Sequence, residues 1–149
     1  MPKRAPIHQI DSRYCCFRLR LGRSRIQGWG LYAGEDIPAN RKVIEYTGEK
    51  LNPRRRQRRE QEGSKDLFIL DHYWTLDGAV GGSGAELVNH SCDPNLVCRI
   101  MKGHILYFSR RAIRQGEELT IDYNYDDTDK LMKCACGAKS CRGTINVLS

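Results

Sequence analysis

The stretch Glu86–Asn95, ELVNHSCDPN, places an amide, an imidazole, a hydroxyl and a thiol at four consecutive positions and closes with Asp-Pro-Asn. Asp, Pro and Asn are residues that favour turns, so the stretch is predicted to be a loop. His90 lies inside this loop between Asn89 and Ser91. The histidines outside it are isolated and are expected to be surface or satisfied core residues: His8, His72 and His104.

The segments around this loop are short and apolar, and turn residues separate them, which predicts a mainly β domain. Lys42–Thr47 is predicted as one strand, and residues 95–113 as two strands joined at Lys102-Gly103. Alternation on the first of these two predicts one shared face for Leu96, Cys98 and Ile100. The Arg/Gln/Glu-rich stretch from Asn52 to about Gly63 is the predicted helix, because Pro53 is tolerated in a first helical turn.

Length and composition favour one globular domain. The chain has 149 residues, of which 40% are hydrophobic and 29% charged, enough for one core. No apolar stretch approaches the roughly 20 residues that span a bilayer, and residues 1–14 lack the apolar core of a secretory signal. We therefore expect an intracellular protein without a membrane partner, in which seven cysteines serve as thiols or metal ligands.

The net charge of +7 is unevenly distributed. Residues 1–59 hold 15 Lys and Arg against 5 Asp and Glu, whereas residues 60–149 hold 10 against 13. A basic half could contact phosphates or acidic partners. The basic runs have few interleaved aromatics for base stacking, however, so a solvated basic surface is the favoured interpretation and nucleic acid is possible but not required.

The stretch Lys133–Gly143, KCACGAKSCRG, is a candidate metal site. Cys134, Cys136 and Cys141 lie within eight residues, and three thiolates so close fit three corners of a zinc tetrahedron. A structural zinc is usually closed by a fourth protein ligand. Spacing leaves that ligand open among a histidine and the other cysteines, which are Cys15, Cys16, Cys92 and Cys98.

Five motifs together resemble the SET-domain protein lysine methyltransferases that carry a post-SET zinc segment. In chain order they are GWGLYA (28–33), EYTGE (45–49), NHSCDPN (89–95), GEELTIDY (116–123) and CACGAKSCRG (134–143). The resemblance covers roughly residues 17 to 145 and implies several small β-sheets, few short helices, a knot-like C-terminal threading under the NHSC loop and a zinc-bound tail. It implies an N-terminal extension at 1–16, a SET domain at 17–128 and a post-SET segment at 129–149, compact and without a pre-SET region.

The resemblance also implies roles for individual residues. Contacts to S-adenosylmethionine, which leaves as S-adenosylhomocysteine, fall on Gly28, Trp29, Trp74, Asn89 and His90. Cys92 would join the three post-SET cysteines on one zinc ion. Tyr123 matches the catalytic tyrosine, Tyr46 matches a tyrosine that lines the lysine channel, and Tyr125 would also line it. The loop at Glu86–Asn95 would thus bind the cofactor and, through Cys92, hold the C-terminal segment.

Four positions depart from the family's pattern. Ile121 stands where members often have Phe or Tyr, and its smaller side chain without a hydroxyl predicts more than one methylation. Glu86 replaces an arginine near the cofactor, which puts the binding of the cofactor's carboxylate in doubt. Thr144 and Ile145 stand where some members place an aromatic over the cofactor.

The leading hypothesis is a protein-lysine methyltransferase that acts on an exposed lysine in a basic context. Residues 116–129 contain six carboxylates and no Lys or Arg, which would attract such a peptide. A catalytically silent SET module that binds a peptide or partner is the alternative, and Glu86 is its best argument. A zinc-dependent nucleic-acid binder is a third. The expected location is cytoplasmic, or nuclear and chromatin-associated in a eukaryote.

Overall fold

A computed structural model describes residues 8–125 and 130–147 of the chain. Within these ranges lie short 3-10 turns at Ser12–Tyr14 and Ala85–Leu87 and one α-helix, α1, at Pro53–Gln61. The strands of the described residues are β1 (Leu19–Arg23), β2 (Trp29–Ala33), β3 (Lys42–Tyr46), β4 (Glu49–Leu51), β5 (Leu67–Ile69), β6 (Thr75–Asp77), β7 (Asn89–His90), β8 (Leu96–Met101), β9 (His104–Ser109) and β10 (Thr120–Ile121). The mainly β prediction is confirmed.

The strands form small sheets rather than one large one. Across the described residues these are the antiparallel pair β1-β2, the sheet β3-β9-β8, the sheet β4-β6-β5 and the parallel pair β10-β7. One apolar core joins them, and its fully buried members include Leu31, Ile44, Leu96, Ile105, Ile113 and Leu119. The predicted domain boundary at 128/129 lies outside the described residues.

The predicted hairpin at Lys102-Gly103 is confirmed as β8-β9. Both turn residues have positive φ, 50° and 80°, as a two-residue type I′ turn requires. The predicted shared face is only partly buried, because Leu96 is 1% exposed whereas Ile100 is 48% exposed. Ile100 lies on β8, the edge strand of its sheet, opposite the fully buried Ile105 of β9, so the core covers the central strand at this level but not the edge strand.

Helix α1 is held to the β4-β6-β5 sheet by charge. Asn52 caps it by accepting the Arg55 N–H at 2.9 Å, and none of its residues is buried. The Arg59 guanidinium reaches the buried Asp77 carboxylate at 2.5 Å and Glu49 at 3.2 Å. The helix therefore attaches through ion pairs to carboxylates of the sheet.

Residues 117–121 lie between β2 and the loop that follows β7. On one side Leu119 donates its N–H to Leu31 O at 2.7 Å. On the other side β10 pairs with β7, and Asn95 donates to Glu118 O at 2.8 Å and accepts the Thr120 N–H at 2.9 Å. This is the knot-like threading that the family resemblance implies.

Asn95→Ala is expected to destabilise the protein by about 2–4 kcal/mol, because it leaves a partly buried carbonyl of Glu118 and a buried N–H of Thr120 without partners. Asn95 is itself 2% exposed, so water cannot replace its amide without rearrangement. Urea unfolding with an unchanged m-value measures the loss. Gln57→Ala truncates an exposed amide on α1 as the control, and equal stability of the two variants would contradict the prediction.

Candidate active site and metal centre

The pairing of β7 with β10 brings the predicted catalytic and cofactor residues together. His90 lies opposite Ile121, and Ser91 donates its N–H to Ile121 O at 3.1 Å. Two residues further on, the Tyr123 ring packs against His90 at a centroid distance of 5.4 Å. Asn89, His90 and Tyr123 therefore form one cluster although 33 positions separate His90 from Tyr123.

Hydrogen bonds define the tautomer of His90. Its Nδ1 accepts the Tyr123 backbone N–H at 3.1 Å, so the neutral ring carries its proton on Nε2. That atom lies 3.5 Å from Cys92 Sγ. Burial lowers the pKa of His90, which favours this neutral form. His90 thus connects the backbone of the predicted catalytic tyrosine to a predicted zinc ligand.

Asn89 fixes the turn that carries Gly28 and Trp29. Its Nδ2 lies 3.1 Å from Gln27 O and 3.0 Å from Trp29 O. Gly28 has a φ of +49°, which a residue with a Cβ rarely adopts. Trp29 is 37% exposed, and the Arg23 guanidinium stacks on its ring at 4.5 Å. The two predicted cofactor-binding motifs are therefore in direct contact.

A cleft opens between this turn and the β7-β10 pair. Its lining includes Ile26, Gln27, Asn89, His90, Tyr123 and Ile145. The enclosed volume is about 50 Å³, below the 300–1,000 Å³ of ordinary ligand pockets. Amide, imidazole and phenol groups thus meet apolar side chains in a cleft whose far wall comes from the C-terminal segment.

The hydroxyls of the two predicted tyrosines are anchored to backbone carbonyls. Tyr123 donates to Val88 O at 2.7 Å, and Tyr46 donates to Asp66 O at 2.5 Å. Burial raises the pKa of both phenols well above the ordinary value. They stay protonated at neutral pH and can orient a substrate, but they cannot serve as bases there.

More apolar and aromatic side chains surround these tyrosines than the sequence motifs indicate. Tyr46 packs against Phe68 at 5.1 Å and Tyr107 at 6.2 Å, and Tyr123 packs against Tyr125 at 5.5 Å. Ile121, which lies opposite His90, is 4% exposed and belongs to the same core. Phe68 and Tyr107 belong to no motif: Tyr107 lies on β9, which pairs with the strand of Tyr46, whereas Phe68 lies on a strand of another sheet.

Glu86 points away from the cleft lining. Its Oε2 accepts the Gly84 N–H at 2.9 Å, and the carboxylate lies against the loop at 78–84. A Cβ on Gly82 would stand 2.6 Å from Glu86 Oε2, so glycine there makes room for the acid. Burial raises the pKa of Glu86. The charge reversal is thus accommodated by the glycine loop.

Trp74 is placed differently from the other predicted cofactor contacts. Its ring meets Tyr73 at 4.7 Å, the Lys50 ammonium lies 5.2 Å from it, and it packs partly against the core. It is not among the residues that line the cleft. Its contact with the cofactor stays a prediction.

Four thiols converge beside this cleft. Sγ atoms of Cys92, Cys134, Cys136 and Cys141 all lie within 4.8 Å of one another, and Cys92 Sγ is 3.7 Å from Cys134 Sγ and 4.0 Å from Cys141 Sγ. A tetrahedral zinc with Zn–S bonds of about 2.3 Å requires separations of about 3.8 Å. The set therefore fits a structural zinc ion.

The structure also separates Cys92 from the other cysteines that spacing left open as a fourth ligand. Cys98 lies on β8, half-buried in the core, and Cys15 Sγ lies 3.5 Å from Asp11 O. Burial raises the pKa of both thiols to about 11, whereas Cys16 is exposed. In the described residues, Cys92 is the cysteine whose thiol lies with those of the three C-terminal cysteines.

The carboxylates of residues 116–129 that the structure describes already have partners within the chain. Glu117 meets Arg111 at 3.2 Å, Glu118 accepts from Asn89 at 3.1 Å, and Asp122 pairs with Arg142 at 2.7 Å. These charges are thus partly neutralised before any peptide arrives. The remaining acids of the stretch lie outside the described residues, namely Asp126, Asp127 and Asp129.

The sequence matches the family model described as SET domain over residues 28–124. The chain belongs to the SET-domain family. The human histone-lysine N-methyltransferase SETD1A is 39% identical over 139 residues, 87% of this chain and 8% of that protein. The Caenorhabditis elegans histone-lysine N-methyltransferase set-2 is 37% identical over 138 residues, 86% of this chain and 9% of that protein.

Comparison of structures agrees with this assignment. A chain in the structure of a humanized mutant of the Chaetomium thermophilum Polycomb Repressive Complex 2 bound to the inhibitor GSK126 superposes with a TM-score of 0.68 at 34% identity. The superposition covers 72% of this chain and 15% of that one. The chain spans about a tenth of the length of the curated relatives it matches. In the described residues, helix α1 is too short and too polar to cross a bilayer.

Proposed function

We propose that the chain is an S-adenosylmethionine-dependent protein-lysine N-methyltransferase. The observation that carries the proposal is the anchored Tyr123, which lines one cleft together with Gln27, Asn89 and His90. SETD1A and set-2 are named as histone-lysine N-methyltransferases. A histone lysine is therefore the first substrate to test, with a nuclear location in a eukaryotic cell.

The cleft suits the cofactor by its chemistry. Asn89 and the imidazole of His90, beside the apolar side chains of Ile26 and Ile145, offer polar and apolar contacts side by side. Its enclosed volume is smaller than such a ligand. We infer that residues 133–145 move away from Asn89 and His90 when the cofactor binds, and that this segment then covers it. When bound, S-adenosylmethionine supplies a methyl group on a sulfonium sulfur.

The first task of the site is to accept a neutral amine. A free lysine has a pKa near 10.4, so deprotonating it at pH 7 costs about 4.6 kcal/mol. Buried aromatic walls at Tyr46 and Tyr123, together with Ile121, exclude water and disfavour the ammonium form. Because both phenols stay protonated, the proton leaves through water rather than to a tyrosine.

The second task is alignment. Methyl transfer is an in-line displacement, which depends on the positions of donor and acceptor more than on acid–base groups. The Tyr123 hydroxyl is directed by its bond to Val88 O, and its lone pairs can accept weak CH···O contacts. Aromatic faces also tolerate a methylated ammonium. The small Ile121 leaves room for more than one methyl group.

The test is methyl transfer from labelled S-adenosylmethionine to a mixture of core histones and other basic proteins, followed by mass spectrometry of the modified lysines. We expect label on lysine side chains of a histone. Label on another protein would overturn the histone assignment but not the reaction. No transfer and no cofactor binding by zinc-loaded protein would favour the silent, partner-binding SET module.

The pH dependence separates the substrate amine from the tyrosines. We expect log(kcat/KM) for a lysine peptide to rise by about one per pH unit between pH 6.5 and 8.5, because only the neutral amine reacts. Since burial raises the pKa of Tyr46 and Tyr123, neither should cause a falling limb below pH 10. Steady-state assays at matched ionic strength measure this pH profile. A decline of kcat/KM above pH 8.5 in folded protein would contradict the role given to the phenols.

A further inference from the structure

Asp122, the residue before the proposed catalytic tyrosine, forms an ion pair with the guanidinium of Arg142 from the C-terminal segment. Arg142 Nη1 lies 2.7 Å from Asp122 Oδ2, and Nη2 lies 3.2 Å from Oδ1. This is the two-pronged arrangement in which arginine binds a carboxylate most strongly. The side chains are 27% and 23% exposed, so the pair is shielded from most of the screening that weakens surface ion pairs.

Arg142 is in turn fixed to the thiol centre. Its backbone N–H donates to Cys92 Sγ at 3.4 Å, and Nη2 also donates to Ile145 O at 2.7 Å. Its Nε is buried and has no hydrogen-bond partner in the described residues. A buried donor without a partner is costly. The two hydrogen bonds to Asp122 and the backbone N–H bond to Cys92 Sγ hold the side chain in this orientation despite that cost.

A second connection runs through His90, whose Nε2 faces Cys92 Sγ and whose Nδ1 accepts the Tyr123 N–H. The contacts close into a ring of five residues, with each neighbour bonded or adjacent in sequence. In order they are Cys92, His90, Tyr123, Asp122 and Arg142. The ring joins one side of the thiol centre to the backbone N–H of Tyr123 and to the residue before it, Asp122.

We propose that Arg142 is a positioning residue that sets the place of Tyr123 through Asp122. The inference rests on the proposed function, in which Tyr123 orients the reacting groups. Zinc on the four thiols would fix the turn at Cys141–Gly143. Through its hydrogen bonds to Asp122, Arg142 would then fix the strand end that carries Tyr123. The C-terminal segment thus contributes to alignment as well as to covering the cleft.

The test compares Arg142→Gln with Lys139→Gln in zinc-loaded protein. Both remove one positive charge from the same segment, and Lys139 is exposed. We expect Arg142→Gln to lower kcat about tenfold or more, since small misplacements of aligned groups are costly, with KM for peptide and cofactor within threefold and zinc still at one ion per chain. Arg142→Lys keeps the charge without the fork and should recover part of the loss. Lys139→Gln should match wild type.

A double-mutant cycle tests the route. If Arg142 acts through Asp122, then Arg142→Gln should lower kcat by less than threefold when Asp122→Asn is already present. Full tenfold losses in both backgrounds would overturn the inference. So would an unchanged kcat with zinc retained, or loss of zinc from Arg142→Gln, because the residue would then be a structural part of the metal centre.

A readout without activity keeps this inference separate from the proposed function. In ¹³C-tyrosine-labelled protein, the Tyr123 ring signal can be assigned by its disappearance in Tyr123→Phe. We expect Arg142→Gln to shift that signal and Lys139→Gln to leave it in place. An unmoved signal overturns the positioning role even if the wild type methylates proteins, and a shift supports it even if no transfer is found.

Discussion

Cys141→Ser is expected to reduce bound zinc from one ion per chain to near zero and to release residues 130–147 from the SET core. A structural zinc needs a closed set of soft ligands, and a serine hydroxyl does not replace a thiolate. Structural zinc contributes apparent free energies of about 10–16 kcal/mol in small zinc domains, which is more than this segment could replace with packing, since few of its described side chains are buried. Methyl transfer should fall below a hundredth of the wild-type rate, because Ile145 leaves the cleft and Arg142 leaves Asp122.

Elemental analysis and hydrogen exchange resolved along the chain measure this result. Protection should be lost at 130–147 while β3, β8 and β9 keep theirs. Cys16→Ser is the matched control, because Cys16 is exposed and lies outside the four-thiol set. Full zinc occupancy in Cys141→Ser, or an unprotected segment in the zinc-loaded wild type, would refute the metal centre.

Tyr123→Phe is expected to lower kcat by about 10²–10³-fold, the range seen when one preorganised polar group is removed from an active site. The ring keeps its contacts with His90 and Tyr125, so cofactor affinity should change by less than threefold. The lost bond to Val88 O should cost about 1 kcal/mol of stability. Activity would therefore fall without unfolding.

Steady-state kinetics, cofactor titration and thermal unfolding on the same preparation separate these effects. Tyr14→Phe serves as the control because it removes a phenol hydroxyl at the half-buried Tyr14, far along the chain from the site. A Tyr123→Phe enzyme with more than a tenth of the wild-type kcat would remove this tyrosine from the mechanism. A large rise in KM for the cofactor alone would reassign it to binding.

Local chemistry explains what the sequence predicted well. The β8-β9 hairpin depends on two adjacent turn residues, and α1 depends on Asn52 and Pro53 at its start. The hairpin and the helix start each depend on a few adjacent residues, so the local sequence was sufficient to predict them. Leu96, Cys98 and Ile100 do alternate along β8 as predicted, but alternation cannot tell where the core beneath a face ends, and Ile100 is exposed.

Contacts between distant segments explain what could not be predicted from spacing. Cys92 stands 42 positions before Cys134, and Asp122 stands 20 positions before Arg142, so only the threaded chain path brings them together. The family resemblance predicted the pair Cys92 and Cys134 because each of these cysteines belongs to one of the family's motifs. Nothing in the residue pattern indicated the second, or the aromatic wall of Phe68 and Tyr107.

The insertion of residues 117–121 between two earlier segments has a consequence for synthesis of the chain. Until those residues leave the ribosome, the edges of β2 and β7 are bare, and bare strand edges invite pairing with other molecules. The same late segment covers both edges and delivers the phenol. An unfinished nascent chain that lacks these residues would therefore expose strand edges that can aggregate and would also lack the phenol.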